Sequence, residues 1–255
     1  MSAMFWQRSP LPTVSFATCC WERDWRLILL DPDYLKVKQI ENHVFPFFER
    51  VLIINNVKDL AAVKEAAQAK VDEGVLSRFV AAEEIASEML SFFRLQRSDF
   101  RPVRDAFGVN SDWIYYNALG PLSAIYVCKA DYLLYLTGDV RLDQKIDWLG
   151  KSLRKMEKNP RYKVANLAWN GRYDEAKKES YKKEGDFFAA KQGFSDQMFL
   201  VKRADFRQPI YGEIRVDSAH YPRGDVFEKR VFSYMKNRDW ERITYRHGSY
   251  IHENV

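Results

Sequence analysis

A chain of 255 residues that is 47% apolar and 29% charged, with 11 Gly and 9 Pro, has a globular composition and excludes the disordered and fibrous classes. Its net charge of +5, from 40 basic and 35 acidic residues, is spread along the sequence, which excludes the dense basic face of a nucleic-acid binder. No uninterrupted apolar run approaches the ~20 residues that span a bilayer. Residues 1–12, with Pro10 and Pro12, read as a leading arm without the apolar core of a signal peptide. Thr13–Cys20 is a short β-type apolar run and reads as a buried strand. Its adjacent Cys19 and Cys20, with the distant Cys128, offer no zinc spacing, and a reducing, cytoplasmic compartment is expected.

Helical pieces broken at Pro32 follow, and Arg50–Asn56 reads as a second strand. Leu60, Val63, Ala67 and Val71 recur at helical spacing up to Gly74. Ser77–Ala82 is a third strand and Glu83–Leu95 a helix. Gly120-Pro121 reads as a helix start, with Pro in the first turn and the helix running to about Ala130. Tyr132–Leu136 is a fourth strand that stops on Thr137-Gly138-Asp139. This alternation predicts an α/β fold: an open, mostly parallel sheet flanked by helices. Ligands of such sheets bind outside the carboxyl ends of the strands. Thr18, Asn55, Asn56 and Asp139 all fall at those ends.

The second half reads differently. Tyr162–Tyr173 contains a strand, and the polar, Lys-rich residues 170–188 read as an exposed loop. An apolar run lies within Gly193–Phe206. Phe227, Val231, Tyr234 and Met235 mark a helix. No repeat interrupts the chain. One compound domain is expected, with a nucleotide half over about 13–142 and an acceptor-side half over about 143–255.

Asp139 has two readings from its own residues. A Gly-Asp pair forms turns readily. A carboxylate at a strand end also binds a divalent cation, which in turn can hold a diphosphate. The context bears on the choice. The stretch GPLSAIYVCKADYLLYLTGDVRLD resembles a segment of GT-A fold glycosyltransferases, in which a helix and a short apolar strand lead into an Asp-x-Asp motif. Thr137 stands where the first acid would be, and Asp139 where the metal-binding second acid would be. TVSFATCCWERD is similar to the first strand of that fold, whose end lies under the nucleotide base. FFERVLIINNV is similar to the second, with Asn55 and Asn56 in place of its terminal acid. GFSDQMFLVKRADF resembles the part that lines the acceptor side. YIHEN resembles a late motif whose His completes the metal shell, here His252.

The resemblance implies a GT-A-like fold with a Rossmann-like nucleotide half and an acceptor-side half. It implies transfer of a sugar from a nucleoside diphosphate sugar to a hydroxyl acceptor, a glycan or a lipid-linked molecule, in glycan or polysaccharide synthesis. Mn²⁺ or Mg²⁺ would be held by Asp139 and His252, and the nucleotide by Thr18, Asn55, Asn56 and Asp139. His247 is the weaker histidine, in basic surroundings. An inverting reaction needs a base for the acceptor proton. Asp196 and Glu228 are the candidates, with a helix cap or a dipole partner as their structural alternatives; Asp225 reads as a cap. Arg94, Arg97, Arg101, Arg104, Lys129, Arg141 and Arg246 could meet the diphosphate or simply face solvent. The run Lys177–Lys183 suits a loop closing over the donor or a peripheral contact with anionic lipid, diluted by Glu175, Glu179, Glu184 and Asp186. Two rivals stand beside the enzyme: a non-catalytic nucleotide or glycan binder of the same fold, and a nucleotidyltransferase. The latter needs a Gly-rich loop after the first strand, which ATCCWERD lacks.

Overall fold

The computed structural model describes residues 11–100, 103–104, 110–191, 193–213 and 226–252. The first half runs β1 (Val14–Cys20), α1 (Trp25–Leu30), a π-helical segment Tyr34–Ile40 with a 3-10 turn Glu41–His43, β2 (Glu49–Ile54), α2 (Leu60–Asp72), β3 (Arg78–Ala81) and α3 (Ala82–Phe92). The short pair β4 (Val103–Arg104) and β5 (Asn110–Ser111) precedes α4 (Trp113–Val127), β6 (Tyr132–Thr137) and β7 (Val140–Arg141). The second half runs α5 (Leu149–Lys158), β8 (Tyr162–Trp169), α6 (Tyr173–Glu179), β9 (Lys182–Glu184), β10 (Phe187–Ala190), β11 (Met198–Lys202), α7 (Arg203–Phe206), α8 (Phe227–Asn237) and β12 (Glu241–His252).

One sheet of ten strands carries both halves, in the order β3-β2-β1-β6-β11-β8-β12-β10-β9, with β7 added on β12. The expected parallel arrangement spans β3, β2, β1 and β6. It ends at β11, which is antiparallel to both β6 and β8, while β8 and β12 are again parallel to each other. β1 is buried along its whole length, because helices cover both faces of a parallel sheet and leave no polar side. Successive residues of β6 alternate between the faces. Leu134 and Leu136 pack with Phe16 and Leu52 under α1, α2 and α5. Leu133 and Tyr135 pack with Ala17, Ile53 and Phe199 under α3, α4 and α8.

Two segments differ from expectation. Gly120-Pro121 does not start α4; it lies inside it, seven residues after Trp113. Pro121 costs the helix a hydrogen bond, about 3 kcal/mol. The buried row Ile114, Ala118, Leu122 and Ile125 outweighs that cost by packing on the sheet. Gly120 is needed there for another reason: a Cβ would lie 2.7 Å from the Tyr135 hydroxyl and 2.9 Å from Cys19 Sγ. The Lys-rich stretch is not a loop. It forms α6, with Asp174 and Glu175 in the first turn and Lys177 and Lys178 in the last, which complements the helix dipole. It then forms the hairpin β9–β10, turned by Gly185 at φ +63°. Among the described residues, no helix is long and apolar enough to cross a membrane. Pro10, Arg101, Pro102 and Asp225 lie outside the described residues.

Candidate functional site

The stretch after β6 is a turn, and it is held from outside. Gln39, fully buried in the π-helical segment, donates its amide to the carbonyls of Thr137 (3.4 Å), Gly138 (3.0 Å) and Val140 (2.7 Å). Asn42 donates to Leu142 O at 2.7 Å. Gly138 has no room for a side chain. A Cβ there would lie 2.5 Å from Asp24 Oδ2 and 2.6 Å from Cys19 O. The turn carries Asp139. The Thr137 hydroxyl donates to Asp139 Oδ1 at 2.8 Å, which fixes the carboxylate and directs Oδ2 away.

Oδ2 meets His252. The short strand β7 pairs antiparallel with the end of β12, with Val140 opposite His252. This sets His252 Nε2 3.0 Å from Asp139 Oδ2, with side chains 13% and 19% exposed. The backbone of His252 is fixed as well, its N–H donating to Asn170 Oδ1 at 2.8 Å. Asn170 and Gly171 both take left-handed conformations in the turn between β8 and α6.

Two further carboxylates share this environment. Asp24, 8% exposed, accepts the Trp21 N–H on Oδ1 at 2.6 Å. Burial pushes its pKa up to about 7; the Trp21 N–H opposes that, and the Asp139 charge adds to it. Burial also raises the Asp196 pKa. The Asn117 side chain and the His252 charge oppose the rise, while Asp139 adds to it. The structure places Asp139 against His252, with Asp196 and Asp24 near enough for the Asp139 charge to act on both; Asp24 is a residue the sequence reading did not single out. Its one signal was an acid just beyond the end of β1.

Beside them lies a cleft of about 560 Å³. Its floor is β8 and β12, its walls are α6 and α8, and residues 193–197 close one side. Asp196 and Glu228 both line it. Tyr250, 2% exposed, donates to Gln197 Oε1 at 3.1 Å and lies 3.5 Å from Ser195 Oγ. Burial pushes its hydroxyl pKa up; Ser195 and Arg242 oppose the rise, and the charges of Asp196 and Glu228 add to it.

Thr18 lies opposite Leu136 on the neighbouring strand, and Asn55 and Asn56 follow the end of β2, with Asn55 N–H donating to Cys20 O. Thr18 is fully buried, with no hydrogen-bond partner for its hydroxyl among the described residues. Asn55 is fully buried and donates to Tyr116 O at 2.7 Å, locking β2 to α4. Asn56 is exposed and left-handed (φ +50°), its N–H held by Glu83 Oε1 at 2.7 Å. No hydrogen bond described here links these three to Asp139. His247 pairs with Asp186 at 3.3 Å beside the β9–β10 turn. Arg97 pairs with Asp112, and Arg246 donates to Gly185 O.

A divalent cation finds two donors of suitable chemistry here, a carboxylate oxygen and an imidazole nitrogen. His252 Nδ1 is buried with no partner among the described residues, and Nε2 faces Asp139. No group of three or more acid, His or Cys side chains among the described residues is arranged around a metal position. Mg²⁺-like ions are commonly held by one or two protein carboxylates together with substrate phosphates and water, so the pair fits such an ion.

These features describe a GT-A-like α/β fold with the Asp139–His252 contact at the carboxyl end of β6. No family model matches the sequence, and no curated protein does. Among solved structures the chain is similar to a mannosyltransferase from Pyrobaculum calidifontis in complex with GDP-Man and Mn²⁺, at TM-score 0.56 and 12% identity. That match covers 95% of this chain and 57% of the other, so this chain spans little more than half the mannosyltransferase's length. Lower-scoring likenesses are to GalNAc-T7 with UDP, GalNAc and Mn²⁺ (TM-score 0.49, 12% identity, 96% of this chain and 44% of that one) and to the galactosyltransferase LgtC with donor and acceptor sugar analogs (0.38, 14%, 76% and 59%). At 12% identity the first likeness establishes the GT-A fold and nothing finer.

Proposed function

We propose that this chain transfers a sugar from a nucleoside diphosphate sugar to a hydroxyl on a glycan or lipid-linked acceptor. The observation that carries this reading is the contact of His252 with Asp139 at 3.0 Å, beside a cleft that Asp196 and Glu228 line. Residues 13–142 form the nucleotide half on this reading, and 143–255 the acceptor side. Asp139 Oδ2 and His252 Nε2 would hold Mn²⁺ or Mg²⁺, which when bound stabilises charge on the diphosphate leaving group. Thr137 keeps the Asp139 carboxylate in one orientation. Asp196 takes the acceptor proton: burial raises its proton affinity, which makes it a better base than an exposed aspartate. The Asn117 amide steadies that carboxylate. Glu228 faces the same cleft and contacts the acceptor. The free, buried thiols of Cys19, Cys20 and Cys128 suit a cytoplasmic protein.

The test is calorimetry with UDP and GDP in the presence and absence of Mn²⁺, followed by donor-hydrolysis assays over the common nucleotide sugars. Micromolar, Mn²⁺-dependent binding and slow hydrolysis of one donor are expected. If no nucleoside diphosphate binds under any condition, the reading fails. Thr137, in place of a second acid, favours one alternative, a non-catalytic nucleotide or glycan binder. In that case Asp139→Ala leaves ligand binding intact.

A further inference from the structure

The cleft floor is polar where the same face of the sheet is elsewhere apolar. In place of residues like Leu133, Tyr135 and Phe199, strands β8 and β12 present Asn166, Thr244 and Arg242 to the cleft. Thr244 Oγ1 donates to Asn166 Oδ1 at 2.7 Å, so those two satisfy each other. Arg242 is different. It is 7% exposed, and its Nε is buried with no acceptor among the described residues. Nη2 donates to Glu179 Oε2 at 2.7 Å, but Glu179 is a rim carboxylate on α6 with its side chain 57% exposed. The backbone makes room for this guanidinium. Gly193 sits at φ +93°, and a Cβ there would lie 2.6 Å from Arg242 Nη1.

A guanidinium is a permanent cation, and burying it is costly unless its donors are met. Here it lines a ligand cleft with one donor unmet and another held by a solvent-exposed acid. A planar or tetrahedral oxyanion answers both, through paired charge-assisted hydrogen bonds. We infer that the acceptor carries an anionic group, a carboxylate or a phosphate ester, that seats on Arg242 in place of Glu179. The word acceptor rests on the glycosyl-transfer reading; the anion site rests on Arg242 alone. Gly193, against the guanidinium, is three residues from Asp196, a span of at most about 11 Å of chain. The anion and the reacting hydroxyl therefore belong to one small acceptor.

The test is calorimetry on the full chain with glucuronate, glucose 6-phosphate and neutral glucose. At least one anionic sugar is expected to bind about tenfold or more tightly than glucose, the factor that a charge-assisted bond supplies. A preference for glucuronate identifies a carboxylate, and one for glucose 6-phosphate a phosphate. Arg242→Gln removes the preference. Glu179→Gln, at an exposed position that tolerates change, frees Arg242 and tightens anion binding severalfold. A merely structural ion pair would not have that effect. Equal binding of all three sugars, or none, in both wild type and Glu179→Gln overturns the inference. A parallel titration with UDP, GDP and Mn²⁺ separates the two ideas. Anion preference without nucleotide binding sinks the transferase reading and leaves the Arg242 site standing, and the converse result does the opposite.

Discussion

The imidazole of His252 meets the carboxylate of Asp139 at 3.0 Å because a two-residue strand, Val140–Arg141, pairs antiparallel with the end of β12. The pair also divides the labour between the two carboxylate oxygens: Oδ1 belongs to Thr137, and Oδ2 to His252.

Asp139→Ala and His252→Ala are each expected to weaken Mn²⁺-dependent binding of nucleoside diphosphate by about tenfold or more, while melting within a few degrees of wild type. A milder change, Thr137→Val, removes only the orienting hydroxyl, worth about 1 kcal/mol, and should weaken Mn²⁺ severalfold. Titration of Mn²⁺ by calorimetry or electron paramagnetic resonance checks all three. Unchanged affinity in the Asp139 and His252 variants together would refute the assignment.

Asp196→Asn should lower kcat by about 10²–10⁴, the usual worth of a general base, with donor KM little changed. Glu228→Gln should raise acceptor KM instead. The pH profile carries a sign as well. The base works deprotonated, and burial raises the Asp196 pKa above the ordinary value of 3.8. Activity should therefore rise with pH through a limb that lies above pH 3.8. A limb near 3.8, or a kcat indifferent to Asp196→Asn, would remove Asp196 from the mechanism.

Gln39 touches no ligand on this reading, yet it holds the turn that carries Asp139. Its two N–H groups serve three buried or half-buried carbonyls. Gln39→Leu leaves those oxygens without a donor, at a cost of about 2–3 kcal/mol. Urea unfolding should show that loss, together with weaker Mn²⁺ binding. A stable variant with intact Mn²⁺ affinity would show that the turn holds itself.

His43 predicts acid sensitivity with no catalytic content. It is fully buried, accepts the Trp148 indole N–H on Nδ1 at 3.0 Å, and burial lowers its pKa to about 3. The unfolded chain takes up a proton near pH 6.5, and the native chain does so only near pH 3. Stability contributed by neutral His43 is thus full above pH 6.5 and declines as pH falls through that window, by up to about 1.4 kcal/mol per unit. Asp24, with its raised pKa, works in the opposite direction in both proteins, so the test is the difference: between pH 7 and pH 5, urea titrations should show wild type losing about 2 kcal/mol relative to His43→Leu. Equal losses in the two proteins would assign the acid sensitivity to other groups.

The strands of the first half were legible because helices cover both their faces. Such strands read as unbroken apolar runs, as in β1 and β6. Thr137-Gly138-Asp139 was legible as an interruption of that pattern. Gly120-Pro121 misled because local propensity says start, whereas fifteen residues of largely buried helix decide otherwise. The Lys-rich segment misled because its composition is that of a loop, although its charges are ordered for a helix. Gln39 and Arg242 carried no local mark, and Asp24 only its place just beyond the end of β1. Each matters through a partner far along the chain: Gly138 for Asp24, the 137–140 carbonyls for Gln39, and Gly193 for Arg242. One-dimensional spacing does not encode such meetings.

The position of β12 has a consequence for folding order. This strand sits between β8 and β10, inside the sheet, and its far end delivers His252. A chain that has collapsed around β1, β2 and β6 but not yet threaded this strand has Asp139 without its imidazole. On the proposed reading, cation capture at Asp139 and His252 requires β12 in place and should report its insertion. Intermediates on the way to the native state would be blind to Mn²⁺, a separation that refolding followed by paramagnetic quenching of tryptophan fluorescence can time.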